Sequence, residues 1–177
     1  MIRLFVAIRP PAAIRERLLG LMGGVRGARW QTDDQLHLTL RFIGDVDRHQ
    51  AEDVDAALSS LHHPRFDLAL DGIGAFDRRG APTVLWAGVS PIAPLKSLHK
   101  KIDQALVRAG LEPERRAYAA HITLARIARG GGPVEPFLVG AGSVSSPPFP
   151  VDEFVLCQSH LTPAGAVYET VARYALG

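Results

Sequence analysis

The sequence predicts an α+β fold with a mostly antiparallel sheet. Three observations carry that expectation. Segments that alternate apolar and polar residues outnumber those with helical spacing, two pairs of them are joined by short turns, and no disordered linker divides the 177 residues. The whole chain, 1–177, is therefore expected to form one domain.

Ile2 to Ile8 (IRLFVAI) alternates as a strand, and Pro10-Pro11 opens a helical stretch, AAIRERLLGLMGG, that Gly23-Gly24 ends. Gln35 to Phe42 reads as a second strand that stops at Gly44-Asp45. Residues 48–61 form an amphipathic helix with Val54, Leu58 and Leu61 on one side. Phe66 to Leu70 and Val84 to Val89 alternate again, and the DRRGAP segment between them suggests a hairpin. Pro94 to Val107 carries Leu95, Leu98, Ile102 and Leu106 at helical spacing. Residues 120–128 make a further strand, Gly130 to Pro133 a break, 134–139 a short segment of undefined type, and 145–150 (SSPPFP) a loop. A closing pair of strands, 151–160 and 166–175, flanks the turn from Thr162 to Gly165.

The composition, 47% hydrophobic and 21% charged, is that of a soluble globular protein. No apolar run approaches the ~20 residues that span a bilayer, so no membrane association is expected. The opening MIRLFVAIRPP is too short and too soon broken by Arg9-Pro10-Pro11 for a secretory signal. With Cys157 as the lone cysteine no internal disulfide can form, which fits a reducing cytoplasm. Net charge is +2 and the isoelectric point about 9.0; 17 of the 20 basic residues are arginine, a side chain suited to planar phosphate contacts. Charge alone permits a nucleic-acid partner without requiring one.

The chain writes one phrase twice: HLTLRFIG from His37 and HITLARIA from His121, 84 positions apart. On a strand, side chains alternate between faces. His37, Thr39 and Arg41 are then expected on one face, with Leu36, Leu38, Leu40 and Phe42 on the other; His121 and Thr123 oppose Ile122 and Leu124. Each copy presents an imidazole and a hydroxyl ~7 Å apart, backed by an apolar face that anchors the strand. Two such strands facing across a cleft would converge on a tetrahedral oxyanion. Threonine hydroxyls would bond its non-bridging oxygens while an imidazole stands on either side. A single His-x-Thr is commonplace. Two copies with the same flanking Leu and Ile point to one shared site.

These residues resemble the two-histidine phosphoesterase superfamily, defined by paired His-x-Thr/Ser-x (HxTx) motifs. More narrowly, the chain is similar to the RNA 2′,3′-cyclic phosphodiesterases, historically called 2′-5′ RNA ligases. The resemblance covers nearly the whole chain: RLFVAIRPP, Trp30, LHLTLRFIGDV, Leu85-Trp86, AHITLARI, and LCQSHLTPAGAVYE with Gln158, Ser159, Gly165 and Tyr168, all in family order. One departure stands out. The family commonly has proline immediately before the second histidine, and here Ala119-Ala120 follow Tyr118 instead. The expected consequence is a local backbone difference rather than lost activity.

The resemblance implies a bilobal fold: two pseudo-symmetric lobes of antiparallel sheet with outer helices, one motif from each lobe, and the active-site cleft between them. It implies hydrolysis of RNA ends that carry a 2′,3′-cyclic phosphate to 2′-phosphates. Ligation by the reverse reaction and a non-catalytic RNA-end binding module are the alternatives. The residues alone leave open which histidine is acid and which is base. The resemblance assigns proton donation to His37 and acceptance to His121, with Thr39 and Thr123 on the non-bridging oxygens. No cofactor is called for, no metal-ligand spacing is visible, and a monomer is expected.

Arg41 shares the motif face and would either pair with phosphate or be a solvated charge at the strand end. Arg126 matches a family position, but strict alternation turns it away from His121, so it reaches the site only if the strand bends. Phe5 and Phe42 match family aromatics that could stack on a base, although their alternation with apolar neighbours favours a core role. Trp30 and Tyr168 read the same way. His62-His63 reads as a solvated helix end, His49, His99 and His160 lack metal-type spacing, and Gly130-Gly131-Gly132 lacks the Lys-Ser/Thr of a phosphate loop.

Overall fold

The computed structural model describes all 177 residues. In chain order the elements are β1 (Ile2–Ile8), α1 (Ala12–Leu19), β2 (Ala28–Trp30), a 3₁₀ turn (Asp33–Gln35), β3 (Leu38–Val46), α2 (Arg48–Ser59), β4 (Phe66–Arg78), β5 (Ala81–Ser90), α3 (Ile92–Arg108), β6 (Ile122–Ile127), α4 (Glu135–Ala141), β7 (Phe149–Val151), β8 (Glu153–Thr162) and β9 (Gly165–Ala175). The strand order is β7-β4-β5-β6-β3-β1-β8-β9, with β2 beside β6, and every pairing is antiparallel. No helix is long and apolar enough to cross a membrane.

Two lobes are visible in that order. One holds β9, β8, β1 and β3; the other holds β6, β5, β4 and β7. Each contains a strand–helix–strand unit, β1–α1–β3 and β5–α3–β6, whose second strand carries one histidine motif. Where the lobes meet, β3 and β6 share a single register pair, Leu38 with Ile122. Both side chains lie in the core, 1% and 0% exposed. Around them the helices bury the stripes their periodicity dictates: Leu95, Leu98, Ile102 and Leu106 of α3, and Val54 and Leu58 of α2. The start of α2 is fixed by Asp47, whose carboxylate accepts the Gln50 N–H while Gln50 bonds back to the Asp47 N–H.

Several boundaries differ from the sequence-based expectation, each for a local reason. Helix α1 stops at Leu19 with Gly20 as its cap, short of Gly23-Gly24. The segment after it instead forms β2, which crosses to pair with β6 of the other lobe. Gln35 lies in the 3₁₀ turn rather than in a strand, and β3 continues through Gly44 to Val46 because Gly44 adopts φ 89° at an irregularity in the ladder. The end of the SSPPFP loop is a strand after all: Phe149 to Val151 pairs with Leu68 to Phe66. Residues 135–141 are helical.

The most consequential departure is a pair of β-bulges. Against β1, Thr39 faces Ala7 and Arg41 faces Val6, so Leu40 is an extra residue. Against β5, Thr123 faces Trp86 and Ala125 faces Leu85, so Leu124 is extra. Both bulges fall on the fourth residue of the repeated phrase, a leucine in each copy. A bulge reverses the alternation beyond it. Arg41 and Ala125 are thereby turned into the helix-covered side, and Phe42 and Arg126 onto the open side. This overturns the placement of Arg41 on the histidine face and of Phe42 opposite it.

On the open side Gly74 of β4 lies against the Trp86 ring, directly across the ladder, and leaves no room for a Cβ. Replacing it should push the indole out of place. Gly74→Ala is expected to cost about 1–3 kcal/mol of stability, read as a lower urea midpoint; an unchanged midpoint would show that Trp86 can move without loss.

Candidate active site

His37 enters β3 straight from the 3₁₀ turn. That turn is closed by a reciprocal cap in which the Thr32 N–H donates to Gln35 Oε1 at 3.0 Å and the Thr32 side chain accepts from the Gln35 backbone. The Gln35 carbonyl is left to accept from His37 Nδ1 at 2.7 Å. A carbonyl oxygen can only accept, so Nδ1 carries a hydrogen and the neutral ring presents Nε2 as a lone pair. Thr39 Oγ1, 3.0 Å away, donates to it. His121 repeats the device: its Nδ1 donates to the carbonyl of Ala119, also two residues back, at 2.8 Å. Both imidazoles are thus held in the same tautomer with Nε2 turned outward.

The antiparallel register through Leu38 and Ile122 sets His37 against Thr123 and Thr39 against His121 on the open face. Each ring is bracketed by two aromatic side chains. Phe5 and Tyr168 flank His37, with ring centroids at 4.9 and 5.1 Å. Phe76 and Trp86 flank His121 at 4.9 and 6.5 Å. Beside His37 lies a pocket of about 380 Å³ whose walls include Phe5, Arg9, Gln35, Cys157 and Tyr168.

Electrostatics fix the charge state of His37. Burial pushes the His37 pKa from 6.5 down to about 4; the charges of Arg9, His121 and Arg126 press the same way, against the Gln35 carbonyl. At neutral pH His37 of the free protein is therefore uncharged. Two guanidiniums, those of Arg9 and Arg126, press positive charge on it with no carboxylate among the influences felt. The site is electrostatically prepared for an anion.

Of the residues singled out in the sequence, the structure brings His37, Thr39, His121, Thr123, Phe5, Tyr168 and Arg126 to this face. The bulge at Leu124 supplies the bend that Arg126 required. Phe42 is on the same face but farther along, 47% exposed, with Arg3 over its ring at 5.5 Å. Arg41 is elsewhere. It is 7% exposed, paired with Asp103 at 2.9 Å and donating to the carbonyls of Phe42 and Glu112. Asp103 also accepts the Glu114 N–H. Its guanidinium is fully engaged in fixing the chain that leads to His121. Tyr118 adds a second tie, donating to Thr39 O at 3.1 Å while stacked on His99, whose Nδ1 donates to Leu40 O. These bonds hold the entry to β6, where Ala119-Ala120 precede His121.

Sequence reasoning missed Phe76 and the role of Arg9. Phe76 lies 45 residues before His121, on the hairpin, and nothing in its local pattern connects the two. Arg9 was visible only as part of RLFVAIRPP; it donates to the carbonyls of Asp33 and Leu36 and so braces the turn under His37. His63 also departs from the solvated helix end expected of it. It is buried, bonded to Pro64 O and Ser97 Oγ. No three His, Cys, Asp or Glu side chains converge as a metal-ligand set.

In a histidine-resolved NMR titration of the free protein, His37 should show a midpoint near 4. The unfolded chain binds this proton near 6.5 and the folded chain resists it until about 4. His37 therefore contributes stability in full above 6.5, and the contribution is lost as pH falls toward 4. Saturating inorganic phosphate should raise the midpoint; a midpoint of 6.5 in both states would contradict the burial.

Comparison with known proteins places this geometry. The family described as LigT like Phosphoesterase matches the chain twice, over residues 8–86 and 89–168, one match around each motif. The RNA 2′,3′-cyclic phosphodiesterase of Archaeoglobus fulgidus is 32% identical over 170 residues, covering 94% of this chain and 96% of its own. Among solved structures, Thermus thermophilus TT0787 superposes with a TM-score of 0.82 at 27% identity, covering 98% of this chain and 97% of that one. Escherichia coli LigT complexed with 3′-AMP gives 0.79 at 29% identity, over 99% and 98%.

Proposed function

The chain belongs to the LigT-like phosphoesterase family, and from that premise we propose that it hydrolyses 2′,3′-cyclic phosphate ends of RNA to 2′-phosphates, without a metal ion. The observation that carries this reading is the pair of imidazoles, each with Nδ1 bound to a carbonyl two residues back and Nε2 directed to a common face. Cyclic-ester hydrolysis needs one proton removed from water and another delivered to the leaving ribose oxygen. In-line displacement puts those events on opposite sides of phosphorus, so two fixed imidazoles suit it. The name of the Archaeoglobus relative, RNA 2′,3′-cyclic phosphodiesterase, supports the substrate class.

His121 Nε2 takes the proton from water, and His37 Nε2 delivers one to O3′. Because His37 is neutral in the free site, it acquires its proton together with the substrate, whose negative phosphate offsets the surrounding positive charge. Protonation also reverses the bond to Thr39. Nε2 no longer accepts, so the Thr39 hydroxyl is released to donate to a non-bridging oxygen, and Thr123 serves the opposite side. Phe5 and Tyr168 hold the His37 ring, and Arg126 supplies positive charge beside the phosphate. All these roles rest on side chains alone, and no bound group is required.

His37→Gln and His121→Gln should each lower kcat on a 2′,3′-cyclic nucleotide by about 10²–10⁴-fold with thermal melts near wild type; glutamine is chosen because His37 packs between two rings. Near-wild-type turnover in either variant would sink the mechanism. Loss of activity on chelation, restored by a divalent ion, would do the same for its metal independence. Phosphorus NMR of the wild-type reaction should show a single 2′-phosphate product. A 3′-phosphate would reverse the orientation of the ribose, and an even mixture would mean that the imidazoles do not act as an opposed pair.

A further inference from the structure

One end of the β6 lobe concentrates arginine that the proposed chemistry does not use. Arg78 and Arg79 stand at the tip of the β4–β5 hairpin and Arg129 in the turn after β6; all three line one open groove of about 620 Å³, with Pro82, Thr83 and the Gly130-Gly131 backbone. Arg26 reaches the same turn, donating to Gly130 O at 3.0 Å. Arg126, three residues before Arg129 on the same strand, connects the groove to the histidines, since its charge is felt at His37. All five guanidiniums are exposed, and none forms an ion pair, although six arginine–carboxylate pairs occur elsewhere in the molecule. Asp77 is the one carboxylate on that hairpin tip, and the chain from Arg115 to Val134 contains four arginines and no acidic residue.

Clustered unpaired cations repel one another and are relieved by a polyanion. The hairpin turn adds an independent sign. Arg79 has φ 53° and Gly80 φ 79°, so both central residues are left-handed, as in a two-residue hairpin turn that asparagine and glycine fill best. A side chain with a Cβ is strained in that conformation. The turn tolerates the strain and carries its charge at the groove's edge.

We propose that this groove is the track for the phosphodiester backbone of the RNA strand leading to the reacting end, which makes the protein selective for single-stranded RNA chains over mononucleotides. The inference rests on the RNA-end reading above. The contacts it offers are to phosphate and therefore independent of sequence. Arg126 sits at the junction, where the last phosphates of the strand pass from the track into the cleft.

The test uses the full-length protein and the triple variant Arg78→Gln/Arg79→Gln/Arg129→Gln. Binding of a labelled single-stranded RNA of roughly ten nucleotides with a 3′-phosphate is followed by anisotropy across a salt series. Each phosphate contact on a single strand contributes about 0.7 to the log–log salt slope, so the variant should lose about 2 from it. It should also lose about tenfold or more in kcat/KM on an oligonucleotide ending in a cyclic phosphate, with turnover of a cyclic mononucleotide unchanged. A salt slope and oligonucleotide kcat/KM equal to wild type would overturn the track, as would an equal loss on both substrates. If wild type turned over neither substrate, the RNA-end reading would fail, and the binding arm would still decide the track. Arg79→Asn separates the effect from folding: its melting midpoint should hold or rise while RNA affinity falls, and unchanged affinity would remove Arg79 from the track.

Discussion

One backbone rung, Leu38 with Ile122, joins the two halves of the sheet, and the site depends on it. Because the rung lies between the histidine and the threonine of each motif, it fixes all four polar side chains with a single registration. A slip of one residue would turn every motif side chain to the opposite face. One rung is a weak registration by itself. It is secured from the helix side by bonds that cross the junction: Arg41 to Asp103 and to Glu112 O, Tyr118 to Thr39 O, and His99 to Leu40 O. The buried faces of the motif strands are therefore as necessary to the chemistry as the exposed ones.

The pseudo-symmetry of the backbone is not shared by the environments. His37 is packed between Phe5 and Tyr168, its Nε2 already occupied by Thr39, with burial as the main cause of its low pKa. His121 has the same tautomer but no hydroxyl on Nε2. In the proposed mechanism one ring gains its proton in company with an anion, and the other offers an unoccupied lone pair. Unequal surroundings of two like groups are the ordinary physical route to distinct acid and base roles. Here the inequality comes from what packs against each strand, not from the motif.

That division also explains which features the sequence made legible. His37, Thr39, His121 and Thr123 could be grouped from alternation alone, because all precede the bulges. Arg41, Phe42 and Arg126 follow them and were misplaced or left conditional, since LTLRF alternates without interruption and only the register with β1 reveals the extra Leu40. The long strands and helices were visible in their periodicity. The three-residue strands β2 and β7 were not, because their existence depends on partners in β6 and β4. Phe76 was invisible for the same reason: its contact with His121 is a product of hairpin geometry. His63 looked solvated because its partner, Ser97, lies 34 residues away.

The repeated phrase suggests two independent halves, yet the chain does not divide that way. β2, from the N-terminal side, is built into the lobe of the second motif, and β8 and β9, from the C-terminus, complete the lobe of the first. The exchange is tied down by side chains. Arg29 of β2 donates to Ala164 O at 2.6 Å and Gln35 to Ala166 O at 2.8 Å, both in the β8–β9 hairpin. That hairpin brings Tyr168 against His37 and walls its pocket. The ring that faces Phe5 across His37 thus comes from more than a hundred positions away, in a hairpin held by the same turn whose carbonyl fixes the His37 tautomer. The repeated phrase supplies the two imidazoles; interleaving the halves surrounds them differently.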